Sequence, residues 1–175
     1  FPLTLDINSD NPPQIYLSFI WISTLLVTML GTELIFSEDF EDGTLEQYAV
    51  NSKLIEIVFY KILVHWALIG IPLAFVAFLF ILSLNISIHI SSIALLCLVI
   101  SNLIFINFFS LGNALSLKKG SILGLLITIP FLIPVLIVLG KMTTSALLGL
   151  SLVGHLSLLV GVMILVASFI PFVIS

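Results

Sequence analysis

The sequence predicts an all-α integral membrane protein, a polytopic helix bundle with about five spans in a single transmembrane domain over residues 1–175. The 175 residues are 61% hydrophobic and 8% charged, and the mean hydropathy is +1.36. A soluble domain carries about 25% charged residues, so this composition cannot cover a water-exposed surface. Because a spanning helix takes about 20 apolar residues, the spans leave no length for a soluble catalytic domain.

Long apolar runs alternate with polar or turn-forming segments along the chain. The runs predict spans at residues 15–36, 62–83, 93–115, 122–139 and 146–174. Residues 53–61 hold charged side chains and are expected at the interface, and residues 140–145 are expected to form a turn. Pro72, Pro130 and Pro134 predict bent helices, because a proline inside a helix removes a backbone donor and clashes with the preceding turn.

The strongly polar run between the first two spans, residues 37–52, is predicted to be a coupling element on the inner face of the membrane. The surrounding sequence, FSEDFEDGTLEQYAVNSK, holds five of the nine acidic residues. Asp42 and Gly43 predict a turn, and Thr44 with Gln47 fits a capping box that starts a short helix. The residues expected to dock a partner are Glu38, Asp39, Phe40, Glu41, Asp42, Gly43, Thr44, Leu45, Glu46, Gln47 and Tyr48.

A solvated loop that only separates two spans is the alternative interpretation of this acidic run. A plain loop needs neither a capping box nor Phe40. It also needs no small apolar face, which Leu45, Tyr48 and Ala49 form at helical spacing. Docking is therefore the interpretation that the sequence favours.

The lysines set the expected orientation, because loops on the cytoplasmic or matrix side carry an excess of Lys and Arg. With the acidic run inside, the lysines on the inner side are Lys53, Lys61, Lys118 and Lys119. Lys141 alone then lies outside. We expect a multi-pass inner-membrane protein, bacterial or mitochondrial, that contacts lipid and has no nucleic-acid partner.

No catalytic constellation is evident in the sequence. There is no Gly-rich phosphate loop, so ATP would be bound by another chain, and the single Cys97 forms neither an internal disulfide nor a cysteine cluster. His65 and His155 are weak candidates for haem ligands, since haem iron accepts an axial His. They are expected at opposite faces of the membrane, and helix packing or an interfacial hydrogen bond is the alternative role for each. We expect no enzyme, no metal site and no tightly bound cofactor.

Two further patterns concern helix packing. Gly120 and Gly124 form a GxxxG pattern, which brings helices close together in some membrane proteins and here has a turn and helix start as its alternative. Asn102, Asn107 and Asn113 are five and six residues apart and do not share one helix face. We expect most of them to form interhelical hydrogen bonds rather than line a substrate path.

Several segments resemble the CcmB family, the haem exporter protein B permeases of cytochrome c maturation. The most specific is EDFEDGTLEQ at residues 38–47. KILVHW at residues 61–66 and GIPL at residues 70–73 resemble the family's Lys-x-x-x-His-Trp and Gly-x-Pro-Leu segments. IPFLIPVLI at residues 129–137 resembles its double-proline helix, and IPF at residues 170–172 also fits.

The resemblance implies the membrane subunit of an ABC-type complex. A separate ATPase resembling CcmA would bind ATP and dock on the acidic run, with membrane subunits resembling CcmC and CcmD and a haem chaperone resembling CcmE as further partners. ATP hydrolysis would release the haem-loaded chaperone, with haem as a handled substrate. Family members usually have six spans, so the first is expected to be absent or cut here. The family's basic residue before the acidic motif is replaced by Ser37.

Two alternatives to this function remain open. One is a membrane scaffold that recruits partners without transport. The other is a generic ABC-2 type exporter of lipid or drug, which would need a lateral opening lined with polar groups.

Overall fold

A computed structural model describes residues 13–50, 53–84, 86–117 and 121–174, with the backbone alone at residues 121–123 and 125. Within these ranges, five helical stretches are long and apolar enough to cross a membrane. They are Pro13–Gly31, Leu54–Ser83, Ile88–Ser116, Leu126–Leu147 and Val153–Ile174. The prediction of an all-α polytopic membrane protein is confirmed.

Short surface helices separate the first two spans. Helix α1 covers Pro13–Gly31, and α2 (Ser37–Glu41) and α3 (Thr44–Val50) follow it. The second span consists of α4 (Leu54–His65), a π-helical turn (Trp66–Gly70) and α5 (Ile71–Ser83). The remaining spans are α6 (Ile88–Ser116), α7 (Ser121–Leu147) and α8 (Val153–Ile174).

The first span ends earlier than predicted, at Gly31 rather than at residue 36. Residues 32–36 form successive turns instead. Asn113 of α6 explains this difference, because its side chain donates to the Glu33 carbonyl and accepts from the Phe36 N–H at 3.1 Å. Hydrogen bonds to a distant helix therefore replace those that would continue α1.

The second span begins earlier than residue 62. Its helix starts at Leu54, so the segment 53–61 is not a separate interfacial element. Val58 and Ile62 are fully buried against Phe36 and Ile106, which gives this first part of the helix its own packing partners. Pro72 follows the π-helical turn, in which the Ile71 N–H bonds to the Trp66 carbonyl.

The predicted turn at residues 140–145 is wrong, because α7 runs without interruption to Leu147. Lys141 is exposed on this helix, and its long side chain reaches the interface without ending the helix. Thr143 is buried and accepts a hydrogen bond from the Trp21 indole at 3.0 Å. The turn lies at residues 148–152 with Gly149 at φ 67°, and α8 begins at Val153 rather than at residue 146. The span predicted at residues 93–115 extends over Ile88–Ser116.

Helix α6 is the centre of the bundle and packs against α1, α5, α7 and α8. A large apolar cluster surrounds most of its length. A smaller inner cluster of Ile35, Phe36, Val58, Ile62 and Ile106 lies where the surface helices meet the spans. Ile174 packs against this inner cluster, so α8 ends at the same face of the bundle.

The helix-packing patterns have different outcomes. Gly124 lies against the Gly112 backbone of α6, which fits a close helix contact, one of the two alternatives left open for the GxxxG pattern, whereas Gly120 is outside the described residues. Asn102 donates to the Gly70 carbonyl at 2.9 Å across helices, and Asn113 holds residues 33 and 36. Asn107 donates only to Leu103 of its own helix, at 2.8 Å. The expectation of interhelical bonds is therefore confirmed for Asn102, whereas Asn113 bonds to the turns that follow α1.

Candidate docking surface

The acidic run folds into a helical hairpin in which α2 and α3 join at Asp42 and Gly43. Gly43 has φ 74°, a left-handed conformation that glycine adopts at no steric cost. The predicted turn is therefore confirmed. Asn51 and Ser52, the last residues of the predicted element, lie outside the described part of the chain.

Asp42, not Thr44, caps the second short helix. Its Oδ1 accepts from the Thr44 N–H at 2.9 Å and also from the Thr44 hydroxyl. The capping-box prediction is wrong because Thr44 is itself the first residue of α3, and its N–H is already bonded to Asp42. These two hydrogen bonds favour the charged carboxylate and hold the pKa of Asp42 below its usual value of 3.8.

One side of the hairpin faces water and is acidic. Its exposed members, which we call the acidic face, are Glu38, Glu41, Asp42, Glu46 and Gln47. Residues 37–50 contain no basic residue, so this face has one sign of charge. Such a surface attracts a basic partner and raises its rate of encounter.

The other candidate residues of the hairpin are partly buried. They are Asp39, Phe40, Gly43, Thr44, Leu45 and Tyr48. Leu45 packs against the protein's own inner cluster. Asp39 forms an ion pair with Lys61 of α4, inside the same chain. All eleven predicted docking residues therefore lie on one small structural unit, but two of them have internal partners.

Three contacts fix this unit to the spans. Phe36, which is 1% exposed, inserts its ring into the inner cluster directly before α2. Asn113 of α6 holds the backbone at Glu33 and Phe36. Lys61 of α4 donates to the Ile35 carbonyl at 3.2 Å and pairs with Asp39. The hairpin is thus attached to two different spans within a few residues of its start.

Sequence analysis missed these anchoring residues. Asp39 and Lys61 are 22 positions apart with a helix between them, and Asn113 is 77 positions from Phe36. No local spacing relates residues so far apart, since helix patterns connect positions three and four apart. The available signal was Lys61 itself, a lysine with apolar residues on both sides, because a charge in such a position requires a partner.

The histidines do not form a paired ligand site. His65 ends α4, and its Nδ1 lies 3.2 Å from the Lys61 carbonyl of the same helix. His155 is near the start of α8, whereas Ile174 at the end of that helix packs beside Ile62. At ~1.5 Å per residue, His155 is about 28 Å along α8 from the inner cluster. His65 lies between Ile62 and Trp66, which both belong to the inner cluster or pack against it, so the two imidazoles are far apart along the bundle.

The described residues offer no cluster of metal ligands and few polar side chains along the groove between α1 and α5. No group of three or more His, Cys, Asp or Glu side chains is placed to hold a metal ion there. A groove of about 280 Å³ between α1 and α5 is lined by aliphatic and aromatic side chains, with Ser23 and Thr24 as its polar members. None of Asn102, Asn107 and Asn113 lines this groove.

Comparison with known proteins gives one consistent match. A family model described as "CcmB protein" matches residues 1–175. Heme exporter protein B of Pseudomonas aeruginosa is 32% identical over 178 residues, which covers 100% of this chain and 80% of the relative. Heme exporter protein B of Haemophilus influenzae is 29% identical over the same shares. The Rhodobacter capsulatus protein of that name is 31% identical over 87% of this chain and 72% of its own length.

The matches agree with the architecture, in which apolar helices cross the membrane and a helical hairpin lies at one face. Five apolar helices and bacterial relatives identify a multi-pass inner-membrane protein. With a family model along the whole chain and a relative 32% identical over all of it, the chain belongs to the CcmB family.

Proposed function

We propose that this chain is the permease subunit of a haem export system for cytochrome c biogenesis, and that a separate ATPase subunit docks on its acidic face. The observation that carries the proposal is a single-signed, exposed surface on a hairpin anchored to two spans. The relatives named heme exporter protein B support the assignment of this chain to a haem export system.

The acidic face sets the position of the ATPase. Exposed ion pairs contribute only about 0–1 kcal/mol each, so Glu41, Asp42 and Glu46 act together, mainly on encounter and register. Phe40 and Tyr48, which are partly buried at the edge of this face, supply apolar contact to a groove of the ATPase. Leu45 contributes from the opposite side by holding α3 on the inner cluster.

In this proposal, ATP is bound and hydrolysed by the partner, a CcmA-like subunit. Closure of the ATPase dimer moves the hairpin, and the spans that hold Pro72, Pro130 and Pro134, where we expect them to bend, move with it. The output is release of a haem-loaded, CcmE-like chaperone from a complex that also holds CcmC-like and CcmD-like subunits. Haem is a substrate handled by that complex, and His65 and His155 do not provide a shared site for it.

The test is charge reversal of the acidic face in the intact membrane complex. Asp42→Lys with Glu46→Lys should reduce co-purification of the ATPase and lower cytochrome c maturation, while the spans remain folded. Gly43→Val should act in the same direction, because valine is strained at φ 74°. Circular dichroism and membrane yield report on folding, and the amount of ATPase per permease reports on docking.

The control is Glu56→Lys, which reverses one acidic charge at an exposed position on α4 outside the hairpin and is compared with each single reversal, Asp42→Lys and Glu46→Lys. It should leave ATPase recovery unchanged. Wild-type ATPase recovery and maturation in the hairpin variants would contradict the proposal. An ATPase that is present but catalytically dead separates coupling from scaffolding, since a scaffold would still support maturation.

A further inference from the structure

Lys61 makes contacts on both sides of the junction between the hairpin and the second span. Its ammonium group pairs with the Asp39 carboxylate of α2 and donates to the Ile35 carbonyl at 3.2 Å. The same group lies 5.9 Å from the centre of the Phe36 ring, within the range of a cation–π interaction. One side chain therefore holds α2 and the segment before it against α4.

The helix that carries Lys61 is in turn fixed to α6. His65 Nδ1 lies 3.2 Å from the Lys61 carbonyl, one turn further along α4. Trp66 begins the π-helical turn and donates its indole N–H to the Val99 carbonyl of α6 at 3.0 Å. At the end of that turn, the Gly70 carbonyl accepts from Asn102 of α6 at 2.9 Å. Displacement of Lys61 along the helix axis would therefore act on the π-helical turn.

The surroundings make the loss of one partner costlier for the Asp39–Lys61 pair than for an ordinary surface ion pair. The Asp39 and Lys61 side chains are 18% and 30% exposed. Charges in such partly buried positions are screened less by salt and water than exposed ones, and loss of one partner leaves the other desolvated. The carboxylates of the acidic face are exposed to water, so they are not left desolvated when a partner is lost.

We propose that Lys61 is the positioning residue through which movement of α2 reaches the membrane span, with Asp39 as its obligatory partner. This inference rests on the proposed function, because it assumes that an ATPase acts on the hairpin. Asp39 thus serves inside the chain rather than on the docking face. When the ion pair is lost, the ATPase still docks on the hairpin, but its ATP hydrolysis no longer moves the spans.

The experiment measures two quantities in the intact complex: ATPase recovered per permease, and cytochrome c matured per ATP hydrolysed. Lys61→Met and Asp39→Asn each remove the ion pair while keeping side-chain size. We expect normal ATPase recovery and roughly tenfold less cytochrome c per ATP, equivalent to about 1.4 kcal/mol of coupling, which is typical of charged residues in contact. The reversed pair, Asp39→Lys with Lys61→Glu, should restore part of the loss, because it re-forms the ion pair but not the hydrogen bond to the Ile35 carbonyl.

Lys53→Met is the matched control, since it removes an exposed lysine at the start of the same helix and should leave the ratio unchanged. The role of Lys61 would be overturned if the single variants matured as much cytochrome c per ATP as the wild type. It would also be overturned if the reversed pair performed no better than the single variants. Failure of the proposed function looks different: the hairpin reversals at Asp42 and Glu46 would then leave ATPase recovery intact. Membrane yield of each variant separates a coupling defect from a folding defect.

Discussion

Gly124 shows the effect of one absent side chain on the bundle. A Cβ added to this residue would meet the Gly112 carbonyl of α6, which is backbone and cannot rotate away. Lipid offers no hydrophobic force to press spans together, so close backbone approach supplies much of the packing energy there. The helices α6 and α7 can stay in contact at this point only while both positions are glycine.

Substitution of Gly124 by alanine should therefore destabilise the protein, by about 1–3 kcal/mol, as overpacked cores do. Gly140→Ala on the same helix is the control, because no atom lies within 4 Å of its added Cβ. That change should be neutral or stabilising by up to about 1 kcal/mol, since alanine has the higher helix propensity. Thermal unfolding in detergent compares the two variants, and equal stabilities would contradict the close contact.

At the same scale, the sequence predicted which segment holds the functional residues but not their individual partners. The acids of residues 38–46 were identified by composition, and the structure confirms that four of them are exposed together. The fifth, Asp39, turns inward to Lys61. Helical spacing within α2 separates Asp39 from the exposed Glu38, but it does not identify Lys61 as the partner, and only the fold brings Lys61 there.

Among the elements, the π-helical turn at Trp66–Gly70 is the feature that interrupts the second span. Such turns occur often at functional sites, and here one lies directly before Pro72. A proline cannot donate its backbone N–H, and its ring clashes with the preceding turn of a regular α-helix. The widened turn accommodates that ring, while Asn102 and Trp66 tie the turn to α6.

Asn102 and Asn107 provide a matched pair for testing this tie. Both are at most 1% exposed on α6, but Asn102 bonds across to Gly70 and Asn107 bonds within its own helix. Asn102→Leu should cost about 0.6–1.7 kcal/mol, the range of interhelical hydrogen bonds in membranes. Asn107→Leu should cost less, because it removes no hydrogen bond between helices, while the Oδ1 of both amides has no partner among the described residues. Equal losses in urea or thermal unfolding would refute the distinction.

The ends of the elements were harder to predict than their number. Residues 34–36 continue the apolar run of the first span, yet they leave the helix because Asn113 captures backbone groups at residues 33 and 36. Residues 140–145 contain a glycine, a lysine and three hydroxyl side chains, but Trp21 and the buried Met142 keep them helical. In both cases a residue from another span decides the boundary, and hydropathy along the chain contains no information about it.

In the whole molecule, the order of spans fixes which segments share a face of the membrane. The inner cluster joins the start of α4 to the end of α8, and the Trp21–Thr143 hydrogen bond joins the first half of α1 to the last turns of α7. The hairpin and the turn at residues 148–152 are therefore on opposite faces. Lysine counting assigns the hairpin to the inner face.

This orientation predicts how single cysteines react in intact bacterial cells whose outer membrane has been made permeable. With Cys97 replaced by serine, Ser151→Cys should be labelled by a membrane-impermeant maleimide, because Ser151 is exposed in the outer turn. Glu46→Cys is equally exposed but on the hairpin, so it should react only after the inner membrane is opened. Labelling of both in detergent confirms that each thiol is accessible. Reaction of Glu46→Cys in intact cells would show that the topology is the opposite one. The hairpin would then lie on the outer face, where an ATPase cannot reach it.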